Sequence, residues 1–499
     1  MELNSRPRRI VSAGLLLLAL AVFVGLAVID IDKPWEGGFR GANGGFYHGN
    51  TIKHWMKLGL SYTRGGCVLK SVPVDPPRVI YNFHHPPTYP LLILPTVNAL
   101  GLSERSIRLG ALFLAIPAIL FLWLIGRRLG NPLVGGFASL LYATSAMGGY
   151  FGPMVDADNA VITLSLATVW AFLRESDNPT FGRRCLTFTL LFATALMDWA
   201  GYWTGPALAL IALASDNPRA QFLRVLRLAT APILALVVFG VHTGWILKDA
   251  DPEATILSAF VAEMQKLTHA VAADAPSWSV TFAAIAKFAV MWFGPVLLIL
   301  AALAFLPRRD GRASLQGLAI ASALLLPGVI HALAFRRNLV IHDFWIIHSL
   351  PGIALLGGRT LAALGIRGWV GGGVAALLLG SAALYGVHKS LDEIESQRTL
   401  THTLNAGYVT ELARPGDLIA TSESFDIESY YLDNFVFPHV TTPEMFAEAY
   451  GSYRANRWAA TRLIFIVEKS RQSTPLVAVV SRLGAPIEHH HFLVWIFDG

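Results

Sequence analysis

Residues 6–36 read RPRRIVSAGLLLLALAVFVGLAVIDIDKPWE, and this stretch decides the class of fold. Arg6, Arg8 and Arg9 precede an unbroken apolar run over about 10–29, and Asp30, Asp32 and Glu36 follow it. As a helix, about 20 apolar residues cover the roughly 30 Å of a bilayer's hydrocarbon. The run is too long for the core of a cleavable signal, and no A-x-A-like site follows. It therefore predicts an uncleaved span whose N-terminus lies in the cytoplasm.

The rest of the chain repeats this pattern. Ten further apolar runs lie at about 105–126, 131–149, 158–173, 183–199, 202–215, 225–246, 281–305, 314–334, 346–364 and 368–387. Of the 499 residues 54% are hydrophobic and 14% charged, and the mean hydropathy is +0.51, which excludes an ordinary soluble domain. Alternating the spans puts sixteen Lys/Arg in the N-terminal tail and short cytoplasmic loops against four in the short outer loops, Lys248, Lys266, Arg336 and Arg337. That asymmetry predicts this orientation, and eleven spans leave the C-terminus outside. The net charge of +6 is scattered over short loops, so nucleic acid is not an expected partner. Cys67 and Cys185 fall on opposite sides and cannot pair.

Two long segments lie on the outer face. The first loop, about 30–104, is too long for a connector, and Pro90 to Leu100 within it reads as an amphipathic helix on the membrane surface. Residues 388–499 alternate strand-like runs (417–421, 462–467, 492–497) with helical ones (443–457, 475–483), which predicts a small α/β domain. The predicted organisation is thus a polytopic helical domain over 1–387 and an outer α/β domain over 388–499.

Polar residues gather at the outer ends of the spans, where ionisable groups usually mark a site. The first cluster is Asp30, Asp32 and Glu36, followed by a glycine-rich run (37–45) that lets backbone approach a sugar; Glu36, then Asp32, are the first candidates for a general base. Asp156 and Asp158 precede a span. One suffices to cap a helix, leaving the other for donor, acceptor or a divalent ion. His84 and His85 enter a rigid Pro86-Pro87 turn; adjacent histidines seldom converge on one ion, so phosphate or sugar contact is the preferred reading. Arg336 and Arg337, with His342 and Asp343 nearby, suit a phosphate at the outer leaflet or a lipid headgroup. Asp198, beside Trp199, either ends its helix or joins the site. The run Glu488-His489-His490-His491 falls in an expected strand, whose neighbours face opposite sides, and reads as surface.

The His84-His85-Pro86-Pro87 turn, the Gly-Ala-Asn-Gly-Gly-Phe-Tyr run at 41–47, Asp198-Trp199 and His342-Asp343-Phe344-Trp345, in this order and sidedness, resemble the GT-C superfamily of membrane glycosyltransferases. Within it they are similar to bacterial glycosyltransferase family 39, relatives of the protein O-mannosyltransferases and of the lipid A aminoarabinose transferase. The similarity covers about residues 1–390. It implies a polyprenyl-phosphate sugar donor, with an envelope lipid, glycan or protein as acceptor, while the high Ala, Arg and Gly usage favours a bacterial inner membrane with a periplasmic active face. It implies no certain cofactor, and leaves a divalent cation open. Under it Glu36 or Asp32 is the base, Asp158 orients the acceptor, Arg336, Arg337 and His342 hold the phosphate, and Asp30, Asp156, His84, His85, Asp198 and Asp343 bind substrate. Many relatives carry an Asp-Glu pair where Ala42-Asn43-Gly44-Gly45 stand here. A transporter or flippase of a lipid-linked substrate is the competing reading, but it predicts charged residues midway through the spans, and these are nearly charge-free.

Overall fold

The computed structural model describes residues 5–35, 41–72, 78–83, 85–129, 131–214, 217–248, 255–258, 260–261, 265, 276–306, 311–339, 342–398, 401–414, 416–423, 428–432, 434–437, 439–455 and 462–498. They form two compact units, one of 1–31, 84–93 and 108–395, the other of 32–83, 94–107 and 396–499.

The first unit is helical, and all eleven apolar runs fall on its helices. Among the described residues six helical stretches are long and apolar enough to cross a bilayer alone: Pro7–Val28, Glu104–Arg127, Arg219–Lys248, Leu315–Ala334, Asp343–Gly365 and the helix that begins at Gly368 and runs to Ser396. The run at 281–305 is a pair, Trp278–Phe293 and Pro295–Leu303, bent by 103° where Gly294 takes φ +79° ahead of Pro295. The other four runs are shorter or more polar helices, Pro132–Thr144, Ala157–Asp177, Phe181–Met197 and Thr204–Leu213. Their polar residues bond to one another instead of facing lipid: Ser165 Oγ meets Thr204 Oγ1 at 2.7 Å, and Thr168 Oγ1 meets Thr194 Oγ1 at 3.2 Å. Small residues close the seams, as where a Cβ on Gly136 would lie 2.9 Å from the Ser12 carbonyl, and one on Gly386 2.1 Å from that of Thr144. The chain is a multi-pass membrane protein, and the helix Leu350–Gly365 is buried along most of its length.

In the second unit the strands β1 (Val68–Val72) and β2 (Arg78–Tyr81) form an antiparallel hairpin. Five more strands form one mixed sheet: β3 (Leu418–Thr421), β4 (Phe435–Phe437), β5 (Arg462–Glu468), β6 (Ile487–His489) and β7 (Phe492–Asp498). Their order is β4-β3-β5-β7-β6, with β3 parallel to β4 and β5, and β7 antiparallel to β5 and β6. Successive residues serve opposite faces. Leu463, Phe465 and Val467 pack under helices Pro443–Arg454 and Pro475–Val480, while Ile464 and Ile466 pack under helix Thr401–Leu412. β3, β5, β7 and the helices Pro443–Arg454 and Pro475–Val480 lie where the sequence pattern puts them, whereas β4 and the helix Thr401–Leu412 were not expected. The histidine run differs from expectation, because β6 ends at His489 and His490-His491 form the turn to β7.

Of the glycine-rich run, residues 37–40 lie outside the described residues, and the rest differs from expectation. Residues Ala42–Gly49 wind into a π-helical segment that continues into the helix Asn50–Leu58. Its glycines meet a side chain of their own unit: a Cβ on Gly44 would lie 2.4 Å from the fully buried Trp35 ring, and one on Gly45 2.9 Å from it. The backbone N–H of Trp35 donates to Tyr431 Oη at 2.5 Å, and Lys53 Nζ donates to the carbonyls of Tyr430 (2.9 Å) and Leu432 (2.7 Å). Gly44→Ala is expected to destabilise the protein by about 1–3 kcal/mol, the cost of overpacking a filled core. Gly407→Ala, in a helix with nothing within 4 Å of the new methyl, is expected to be neutral or to stabilise by about 0.5–1 kcal/mol. Thermal unfolding of the two variants reads the contrast.

Helix Thr88–Leu100 covers the expected surface helix but is more enclosed than expected, with Tyr89, Ile93 and Val97 fully buried and Leu91, Leu92 and Leu100 exposed. Neither cysteine forms a disulfide.

Candidate active site

Three breaks in the helices of the first unit meet at one place. Before Ala157–Asp177 the chain leaves a short π-helical turn, Met147–Phe151, and Asp156 caps the new helix by accepting the N–H of Asp158 at 3.0 Å. Phe181–Met197 stops at Asp198, which turns the chain into the 3₁₀ segment Trp199–Trp203 by accepting the N–H of Trp199. Leu326–Ala334 gives way to the one-turn helix Arg336–Leu339, and the 3₁₀ segment Asp343–Ser349 then leads into Leu350–Gly365. A helix end frees both backbone and side chains, so the polar residues sit at these interruptions.

One carboxylate oxygen from each of Asp156, Asp158 and Asp198 lies within 4.8 Å of the others. Asp158 and Asp198 are only 4% and 6% exposed. Two histidines hold the cluster: His85 Nδ1 is 3.1 Å from Asp198 Oδ1, and His348 Nε2 is 2.8 Å from Asp158 Oδ1. The second oxygen of Asp158, Oδ2, is buried with no hydrogen-bond partner among the described residues. Behind His348 runs an aromatic wall. His331 lies 5.6 Å from it and 4.9 Å from Trp345, which stacks on His342 at 4.8 Å, while Trp203 Nε1 donates to His331 Nδ1 at 3.3 Å.

Acids this close disfavour one another's ionised forms. Burial first, then the Asp158 charge, hold the Asp156 carboxyl well above the usual carboxylate range. Burial alone would lower the His85 imidazole, but Asp198, through charge and hydrogen bond, with Asp156 and Asp158 beyond, pushes it up to about 9. The His85 side chain is 43% exposed, so water screens part of this attraction. His85 is raised above its ordinary 6.5, so the stability it adds is full below that pH and is lost as pH rises through about 9. The gap in melting temperature between wild type and His85→Gln is therefore expected to narrow between about pH 7 and pH 10. A gap that is constant over that range would refute the ion pair.

The cluster thus joins four of the residues singled out in the sequence, Asp156, Asp158, Asp198 and His85, and the aromatic wall adds His342. The remaining candidates have other partners. Asp32 pairs with Arg105 at 3.5 Å, both mostly exposed. The Asp30 backbone, at φ +62°, has its carbonyl bonded by Arg108 Nη1 at 3.1 Å. Arg336 lies over the Trp278 ring at 4.4 Å, the neighbouring Arg337 is half-buried, and Asp343 Oδ2 accepts from Trp292 Nε1 at 2.7 Å. Glu36 and His84 lie outside the described residues. His348 was missed. It stands six residues after His342 in Asp343-Phe344-Trp345-Ile346-Ile347-His348, where an apolar run hides a buried polar group.

Oxygen donors from three carboxylates suit a hard divalent cation, and the orphaned Asp158 Oδ2 would complete such a site. Without one, burial and the Asp158 charge favour the neutral form of Asp156, and Asp198 favours the charged form of His85.

Residues 84–245 match the family model described as dolichyl-phosphate-mannose-protein mannosyltransferase. No curated protein matches the chain by sequence. Among solved structures, ArnT from Cupriavidus metallidurans bound to undecaprenyl phosphate is 14% identical with a TM-score of 0.67, covering 97% of this chain and 98% of that one. The archaeal oligosaccharyltransferase AglB from Archaeoglobus fulgidus, in complex with an inhibitory peptide and a dolichol-phosphate, is 13% identical with a TM-score of 0.51, over 92% of this chain and 70% of that one. The arabinofuranosyltransferase AftD from Mycobacteria is 12% identical with a TM-score of 0.50, over 91% of this chain and 36% of that one. The fold is shared with ArnT, AglB and AftD, and the mannosyltransferase match over residues 84–245 agrees with the resemblance to GT-C glycosyltransferases in the sequence.

Proposed function

We propose that the protein transfers a sugar from a polyprenyl-phosphate donor to an envelope lipid, glycan or protein on the periplasmic face of a bacterial inner membrane, with all eleven helical runs crossing and residues 388–499 lying outside. The observation that carries the chemistry is the buried Asp158, held by His348 through one oxygen and unpartnered at the other. Asp158 Oδ2 accepts the proton of the acceptor hydroxyl as its oxygen attacks the anomeric carbon. The bond to the phosphate oxygen breaks, and the electron pair leaves with polyprenyl phosphate. Phosphate is a good leaving group, so one base with cationic stabilisation suffices, whereas a glycosidase needs a second carboxyl group as acid. The charge developing on the phosphate is met by His85, whose cationic form the neighbouring Asp198 favours. The bound undecaprenyl phosphate of ArnT and dolichol-phosphate of AglB support a lipid-phosphate donor.

The test is release of free polyprenyl phosphate by the purified protein from a panel of polyprenyl-phosphate sugars, with envelope acceptors added and with or without EDTA. Release from one donor, acceptor-dependent and unaffected by EDTA, is expected, with His85 countering the charge of the acids. Loss of release with EDTA, restored by magnesium or manganese, would make the three carboxylates metal ligands instead. No release from any donor would refute the transferase reading.

A further inference from the structure

The tip of the β6–β7 hairpin carries a second group of ligating side chains, which the transferase chemistry does not use. His489 closes β6, and His490, the first turn residue, adopts φ +52°, a left-handed conformation rare for a residue with a Cβ. That twist brings two adjacent histidines, which a continuing strand would point apart, onto one carboxylate. His489 Nε2 lies 3.1 Å and His490 Nε2 3.4 Å from Glu411 Oε2, and the three ligand atoms all fall within 4.8 Å of one another. Glu411 stands on the helix Thr401–Leu412, three residues after Tyr408, so both occupy one face of it. The Tyr408 ring stacks on His490 with centroids 3.6 Å apart, and the Tyr408 carbonyl lies 3.2 Å from His489 Nε2.

We propose that Glu411, His489 and His490 form a binding site for a borderline divalent transition-metal ion, of which zinc is the representative, joining the hairpin tip to the helix Thr401–Leu412. Zinc takes imidazole nitrogen and carboxylate oxygen at about 2.0–2.2 Å, and in a tetrahedron of such bonds neighbouring donors stand about 3.3–3.5 Å apart. The two distances to Glu411 are close to that spacing without movement of the backbone. Two nitrogens and one oxygen favour zinc over magnesium or calcium, which prefer all-oxygen shells. Glu411 and His490 reach the surface, leaving the fourth position to water. The stacked Tyr408 fixes the His490 ring, as an outer partner orients a metal-bound imidazole. The site is separate in chemistry and in sequence from the three-carboxylate cluster of the helical unit.

The test is zinc binding by the full-length protein in detergent, purified without a histidine tag and freed of metal. His489→Ala, His490→Asn and Glu411→Gln are compared with wild type, and each also in an Asp158→Asn background. Asparagine tolerates the left-handed conformation, so His490→Asn removes the ligand while sparing the turn. Each change is expected to remove one zinc equivalent, or to weaken binding at least tenfold, equally in both backgrounds. Zinc is expected to raise the melting temperature of wild type and not of the three variants, and cobalt in its place to give visible absorption of a four-coordinate ion. If all three variants keep the wild-type zinc content and affinity, the site does not exist. If the loss occurs only with Asp158 intact, the zinc belongs to the carboxylate cluster and the proposal fails, whatever the outcome for transferase activity.

Discussion

Asp158→Asn is expected to lower polyprenyl-phosphate release by about 10²–10⁴-fold, the range a positioned general base contributes. Asparagine keeps the shape of the side chain and an oxygen for His348 Nε2, which lies 2.8 Å from Asp158 Oδ1, but its amide cannot take up a proton. The variant should therefore fold and extract as wild type does, with the loss falling on turnover. His348→Ala leaves Asp158, 4% exposed, without its partner and should lower both activity and stability. Asp32→Asn supplies the contrast. Among the described residues Asp32 has a solvent-exposed pair with Arg105, and its loss should leave turnover within a few-fold of wild type. Should Asp32→Asn or Glu36→Gln abolish release while Asp158→Asn retains it, the base lies in the first loop and the assignment of Asp158 is wrong.

The second large effect concerns stability. Asp417 is completely buried just before β3 and accepts from Arg462 Nη2 at 2.5 Å, Arg462 Nε at 3.2 Å and the N–H of Arg414 at 2.7 Å. Arg462, only 13% exposed, begins β5 and also donates to the Leu412 carbonyl at 3.0 Å, so the pair ties two parallel strands to the end of the helix Thr401–Leu412. Breaking a buried pair from one side leaves the other charge uncompensated, which costs about 3–5 kcal/mol. Asp417→Ala is accordingly expected to unfold this unit well below the wild-type temperature, seen as early protease cleavage within 396–499 on heating. Lys469→Ala, which breaks a solvent-exposed pair with Glu488, should leave that temperature unchanged. Equal effects of the two would refute the assigned role of Asp417.

Much of the fold was legible because its signals are local. An apolar run long enough for a bilayer is a helix for want of any other partner for its backbone, and all eleven runs are helices. The alternation around 462–467 and 492–497 likewise locates β5 and β7. The number of runs able to cross unaided was not legible, since the helix 157–177 owes its polar residues to neighbours such as Thr194 and Thr204. In the site, Asp156 and Asp198 were visible as acids at helix ends. His348 was not, because its reason for being buried, Asp158, lies 190 residues away in the chain.

By itself the sequence determined that this is a helical multi-pass membrane protein and which residues could cap or interrupt its helices, since hydropathy and capping act over a few neighbouring residues. Only the tertiary structure decided which interruptions meet. It brought Asp156, Asp158, Asp198 and His85 together, filled the space beside Gly44 with Trp35, and turned two adjacent histidines onto Glu411. Such convergence depends on how distant helices and strands pack, and packing is set by the shape of the whole interior instead of by any one segment.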